Sequence, residues 1–523
     1  MRDRHQALLN SILILFGCGS QFLFYLVKPI GVIPDDAFYG YQVARGLSEH
    51  GFLTFDGNSL ASGYHPLWFF LTWLAYLVSG ANLPYVMLVL STILFLIFSI
   101  LIVRFIDQVV VDPYLRFVFK LLLAANPCFI FAAWLSGLEL PALMFVLCLF
   151  YIECAAIVSK RSDHFGWLAV LAGVAFLARL DAIVVVFPVL FFVLLLRRAS
   201  VKYALVPIAF VVCYMAAHYL IFGTVVPAST DAGRLTWFDD QTANWRRWFH
   251  TGLYFDFPMH LAQFGRNVAE IVSTSFGIAS GTLGSTTIGK AIFAAALLLV
   301  AGIVASNVER AQIIHILRQK QMQIWLVVIA SVAGIAYVTT VRALFFRSWY
   351  YPWTAFSLMF AVLMILREAR LTKRDGMLLG GSACLVLTLS MLSYWTQISV
   401  PLSRQSVAVA AVRFLDDEGY HGRIGSFNAG IYGWATDGRV SNIDGLVNED
   451  ALRGIKSKNF ADFLKDNDIK FILDIDPIGD LDRRIAATSK RSAYQVRLEP
   501  LKDWPDADGL YRHTLYAVKV TLR

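Results

Sequence analysis

The strongest constraint on this chain is a succession of apolar segments, each near the roughly 20 residues that cross a ~30 Å hydrocarbon layer. They fall near residues 7–27, 83–103, 117–134, 138–158, 165–179, 182–196, 203–222, 288–306, 324–341, 352–366 and 376–397. About eleven transmembrane helices are therefore expected. Of the 523 residues, 58% are hydrophobic and 16% charged, where a soluble domain carries about 25% charge. The class is a polytopic α-helical membrane protein. Its formal charge of +8 is no nucleic-acid signal, because Lys and Arg gather between apolar segments. Examples are Lys160-Arg161, Arg197-Arg198-Lys202 and Arg367-Arg370-Lys373-Arg374. By the positive-inside rule these turns and the N-terminus face the cytoplasm and the C-terminus faces outward. The six cysteines all lie in apolar segments, in no disulfide or C-x-x-C metal pattern.

Polar segments interrupt the spans in three places. Residues 28–64 form an outer loop in which Pro34 and Asp35 open a helix, Asp35 able to cap its free N–H groups, and Gly51 ends it. Phe38, Tyr41, Ala44 and Leu47 recur at helical spacing, which predicts a surface helix with aromatics at headgroup level. Residues 65–80 are apolar but short, and read as a shallow or re-entrant helix. A second outer loop, 223–287, holds Trp237, Trp245, Trp248 and the acidic pair Asp239-Asp240. Residues 398–523 are polar and alternating, and predict a small extramembrane α/β domain. Its strands are expected at Arg423–Phe427 and Lys470–Ile475, its helices at Gln405–Asp416 and Phe460–Asp466. Two domains result: 1–397 with outer loops 28–82 and 223–287, and 398–523.

The chemistry-bearing feature is Asp35-Asp36 at the start of the first outer helix. Carboxylates at a membrane edge cost free energy and need a reason. Partial desolvation raises a carboxylate's pKa and makes it a better base. Adjacent helical residues point about 100° apart, so the pair is a poor metal clamp. One acid can face a cleft while the other bonds backbone, and a plain cap plus an exposed acid is the competing reading. The loop continues through Tyr39, Tyr41, Arg45, Thr54-Phe55-Asp56-Gly57 and Gly63-Tyr64-His65-Pro66-Leu67-Trp68. Further along stand Arg179-Leu180-Asp181, Arg342, Arg347-Ser348-Trp349-Tyr350-Tyr351 and Asn442-Ile443-Asp444-Gly445. Arg179 and Asp181 could simply pair at their turn, His65 could be a buried helix-start residue, and Asn442, Asp444 and Asn448 could form a tight turn.

Together these residues resemble the polyprenyl-phosphate-dependent glycosyltransferases of the GT-C superfamily, among them the bacterial relatives of protein mannosyltransferases and aminoarabinose transferases. The resemblance spans nearly the whole chain as an architecture, but only the Asp pair maps onto a family catalytic position. It implies inverting transfer of a sugar from a lipid-linked donor to an acceptor hydroxyl of an envelope glycan, lipid or protein. A general base is needed, Asp35 being favoured over Asp36. Cations must hold the departing phosphate, a task that suits Arg because it stays charged and binds phosphate through two parallel hydrogen bonds. Arg347 is the first choice, with Arg342, His65 and Tyr350 as further donor-phosphate candidates. Tyr39, Arg179, Asp181, Asn442 and Asp444 are candidate substrate contacts. No metal and no cofactor are expected, and the absence of a G-x-x-x-x-G-K-[ST] loop disfavours direct use of ATP. The implied location is a bacterial inner membrane with the C-terminal domain periplasmic. A transporter or flippase of a lipid-linked or anionic substrate is the rival, although transporters put ionisable residues at mid-span.

Overall fold

The computed structural model describes residues 2–27, 33–229, 232, 257–277, 320–342, 351–398, 404–476, 481–505 and 512–523. Among them, six helical segments are long and apolar enough to cross a membrane: Pro66–Val109, Pro113–Phe131, Leu140–Val158, Leu180–Arg197, Val201–Phe222 and Lys373–Leu392. Four shorter apolar helices accompany them, Leu8–Leu23, Phe165–Ala178, Gln323–Gly334 and Tyr351–Leu366. The expected span at 288–306, the tryptophans of the second outer loop and Asp239-Asp240 lie outside the described residues.

The chain divides into two compact units. The first comprises Met1–Val27, Leu88–Cys213 and Pro258–Gln397. Its helices pack through aromatic side chains: Phe98, Trp134, Tyr151, Trp325, Phe356 and Phe360 are all buried. The Tyr151 hydroxyl donates to Ser357 at 2.8 Å, which satisfies a polar group inside the bundle. Asp112 shows how sequence sets a helix start here. Its carboxylate accepts from the Tyr114 and Leu115 amides at 2.9 Å, and Pro113 fills the first turn, where no N–H is needed.

The second unit unites Lys28–Met87, Tyr214–Phe257 and Ile398–Arg523. Its centre is a five-stranded sheet of β1 (Arg423–Ser426), β2 (Val440–Asn442), β3 (Ile469–Asp476), β4 (Tyr494–Pro505) and β5 (Arg512–Leu522). The order is β2-β1-β3-β5-β4. β1 runs parallel to β2 and β3, and β5 antiparallel to β3 and β4. The expected strands correspond to β1 and β3, and the expected helices to Arg404–Asp417 and Phe460–Asp466. Phe460, Leu464, Ile472 and Ile485 fill the core beneath the sheet.

The helix expected in the first outer loop, Asp35–His50, ends at Gly51 with φ 78°, a left-handed position that glycine takes without strain. Two expectations for this helix need correcting. Its aromatics are not at a headgroup surface: Phe38 and Tyr41 are fully buried, and the helix packs against the short helix Gly430–Ala435. Nor does Asp35 cap its own helix, where Pro34 stands at the cap without a side-chain bond. The carboxylate instead serves the helix packed opposite. The following helix, Pro66–Ser79, packs on Asp35–His50, buries Trp68, Thr72 and Ala75, and exposes Phe70, Leu74, Leu77 and Val78.

Candidate active site

Parallel strands present a polar edge at their carboxyl ends, where ligands of open α/β sheets collect. Here the loop after β1, residues 427–431, leaves that edge and meets the first outer helix. Asp474, near the end of β3, holds the loop: its carboxylate accepts from the Phe427 amide at 2.6 Å and from the Asn428 side chain at 2.8 Å. Tyr39, one turn into the outer helix, fits between the next carbonyl and amide. Its hydroxyl donates to the Phe427 carbonyl at 3.3 Å and accepts from the Ala429 amide at 2.8 Å. Asp35 then accepts from the Ile431 amide at 2.7 Å and the Gly430 amide at 3.3 Å, the first donors of Gly430–Ala435. One chain of hydrogen bonds therefore runs from the sheet through the loop to the acid of the outer helix.

Burial dominates the electrostatics of this cluster. It pushes the Asp35 carboxyl up to about 8, against the two amides that pull it down, with the Asp36 charge adding to the rise. Asp35 is half-buried, so part of the residue stays open to solvent. Asp444 is raised to about 7, first by burial, while the Leu446 amide and Asn442 hold it down. Asp474 is raised by burial too. Burial lifts the Tyr39 phenol well above its ordinary value, and Asp444, Asp35 and Asp36 add to that lift. Four carboxylates thus bear on one locus, with Asp36 exposed to solvent.

The outer helix is anchored at its other end by Arg45, which is buried. Its guanidinium donates to Asp437 at 2.6 Å and to the Trp434 carbonyl at 3.0 Å, and lies 3.9 Å from the centre of the Trp434 ring. Replacing Tyr39 with Phe should leave the buried Ala429 amide without an acceptor, at a cost of about 1–3 kcal/mol. Chemical denaturation of the purified protein should show that loss; an unchanged midpoint would mean that the hydroxyl does not hold the loop.

The remaining sequence candidates distribute as follows. Asn442 ends β2, and its side chain accepts from the Gly445 and Val447 amides at 3.2 and 3.4 Å. Asp444 accepts from the Leu446 amide at 2.8 Å, so these residues do build a tight turn, with Gly445 at φ 81°. Asn448 caps the next helix, Glu449–Ser457. His65 stands at the start of Pro66–Ser79. Arg179 and Asp181 lie in the first unit, where Arg179 is buried, pairs with Asp181 at 2.8 Å and also pairs with Glu139. Arg347 and Tyr350 lie outside the described residues, as does the Arg342 side chain. Asp474 and Asn428 carry the geometry without having been singled out. For Asp474 a signal existed, namely an acid inside the otherwise apolar run Phe471-Ile472-Leu473 and Ile475.

Fold and site together define a polytopic membrane protein in which the helix Asp35–His50, after the first apolar segment, sets an acidic pair against the C-terminal α/β domain. Among solved structures the chain is similar to ArnT from Cupriavidus metallidurans in the apo state, over 97% of this chain and 98% of that one, at 12% identity and a TM-score of 0.42. It is similar to the same protein bound to undecaprenyl phosphate, with equal coverage and identity and a TM-score of 0.40. At 12% identity and with both scores below 0.5, the similarity carries no argument about this chain. No protein-family model and no curated protein matches the sequence.

Proposed function

We propose that this chain is a membrane glycosyltransferase that moves a sugar from a polyprenyl-phosphate donor to an acceptor hydroxyl. The observation that carries the reading is the acidic pair itself. Asp35 is clamped by two amides, is surrounded by further carboxylates and is raised toward neutrality by burial, a combination that favours proton transfer. A carboxylate has about four lone-pair directions, so two amide contacts leave Asp35 room to accept an acceptor O–H. In the proposed step Asp35 takes that proton as the acceptor oxygen attacks the anomeric carbon. The bond from that carbon to the phosphate oxygen breaks, and the electron pair leaves with the polyprenyl phosphate. A single displacement inverts the anomeric centre. Arg347, Arg342, Tyr350 and His65 are proposed to receive the phosphate. Tyr39, Asn442 and Asp444 are proposed to line the acceptor side, with Arg179 and Asp181 as further substrate contacts. The step calls for no metal and no cofactor.

The pH profile tests the assignment. Asp35 acts as a base only when ionised, so turnover should climb with pH and level off above about 8, not near the ordinary carboxylate value of 3.8. Asp36→Asn removes a like charge and should move that midpoint down. The sign for stability is opposite. The folded state holds the Asp35 proton more tightly than the unfolded chain, so its contribution is full below pH 3.8 and is lost as pH rises toward 8. A turnover profile already flat from pH 5 upward would remove Asp35 from the base role.

A further inference from the structure

A cavity of about 370 Å³ lies in the second unit, away from the acidic pair's own hydrogen bonds. Three stretches wall it: Asn58 and Leu60 of the first outer loop, Phe222 and Thr224 at the end of helix Leu205–Phe222, and one side of helix Glu449–Ser457. The walls are tied together. The buried Ser62 hydroxyl donates to Glu449 and accepts from the Ala228 amide at 2.9 Å, and the Glu449 amide donates to the Leu60 carbonyl at 3.1 Å. The volume falls in the range of small-molecule sites.

The lining discriminates between ligand classes. Glu449 and Asp450 are balanced by Arg453 and Lys456, so the cavity has no excess charge to select an ion. Arg453 already pairs with Asp450 at 3.2 Å, and Glu449 accepts from Ser62. A phosphate site needs surplus cations in a converging array. A lipid tail needs a wholly apolar lining, and here four charged side chains share the walls with Phe222, Leu60 and Leu452. What remains is a mixed lining, slightly more apolar than polar, in which Asn58, Thr224 and the charged side chains flank one aromatic ring and two leucines. A sugar ring matches that set, because its hydroxyls donate and accept while its C–H face is apolar. Exposed Leu220, Ile221, Val225 and Val226 flank Phe222 and Thr224, as expected where a spanning helix leaves the bilayer.

We propose that this cavity is a glycan-binding subsite that seats the saccharide portion of a neutral, envelope-facing glycoconjugate. As the seat of the acceptor it rests on the transferase reading above; as a sugar-binding site it stands alone. The test uses the full chain in nanodiscs and saturation-transfer NMR with maltotriose and cellotriose, with inorganic phosphate and glycerol phosphate as comparison probes. Transfer to at least one trisaccharide is expected. It should be lost in Leu60→Trp, which fills the cavity, and in Arg453→Ala, an exposed position whose loss leaves folding intact. Asp35→Asn should retain it, so that sugar binding and turnover are read separately. No transfer to either sugar, transfer unaffected by both cavity variants, or transfer to the phosphate probes alone would overturn the assignment. Sugar binding retained alongside normal Asp35→Asn turnover would instead remove the proposed chemistry and leave the subsite.

Discussion

Asp35→Asn should lower turnover of a lipid-phosphate sugar donor by about 10²–10⁴-fold, the usual contribution of general-base catalysis. The amide keeps the size of the carboxylate and one acceptor oxygen for the Ile431 amide, so expression and membrane insertion should persist. The comparison with Asp36→Asn gives the result its meaning. Asp36 is exposed, while Asp35 is tied to Gly430 and Ile431. Loss confined to Asp35 assigns the base to the clamped acid. Loss confined to Asp36 would make Asp35 a cap of the Gly430–Ala435 helix and pass the base role to its neighbour. Near-normal rates in both variants would reduce the pair to structural acids.

Gly430→Ala should be nearly as damaging although residue 430 carries no chemistry. A Cβ there would come 2.2 Å from the Asp35 carbonyl oxygen and 2.8 Å from the Asp35 carboxylate. The carbonyl oxygen is backbone and cannot swing aside as a side chain could, so the outer helix or the 427–431 loop must move. A misplacement of about 1 Å at a reacting group costs on the order of 10²-fold in rate. Turnover should therefore fall by about that factor, with KM for the donor little changed, because the phosphate contacts are proposed elsewhere. Wild-type turnover in Gly430→Ala would show that Asp35 does not need its seat on the C-terminal domain.

The class of protein and the acidic pair are legible from residues alone, because apolar length and a paired acid at a segment boundary are local signals. The seat of that pair is not. Tyr39 and Phe427 are 388 positions apart, and Asp35 and Ile431 are 396 apart. Helical spacing of Phe38, Tyr41 and Ala44 shows that the outer helix has an apolar face, but a membrane surface and a protein neighbour impose the same period. The structure decides for a protein neighbour, since a side chain at Gly430 would collide with the Asp35 backbone and one at Gly433 with the Phe55 ring. β2 is only three residues long, and β4 alternates exposed Gln495 and Arg497, too polar to stand out as a strand. β1 and β3 are legible because Ile424, Ile472 and Leu473 stand in β-rich runs, and the structure buries all three.

The most direct measurement supplies the purified chain in nanodiscs with polyprenyl-phosphate sugars of defined anomeric configuration and a cell-envelope acceptor fraction, and follows both products. Transferase action at a single base predicts equal amounts of free polyprenyl phosphate and of a new glycoside with inverted configuration at the anomeric carbon, both abolished together in Asp35→Asn. Movement of the intact lipid-linked sugar across proteoliposomes, with no polyprenyl phosphate released, would contradict it and establish a transporter.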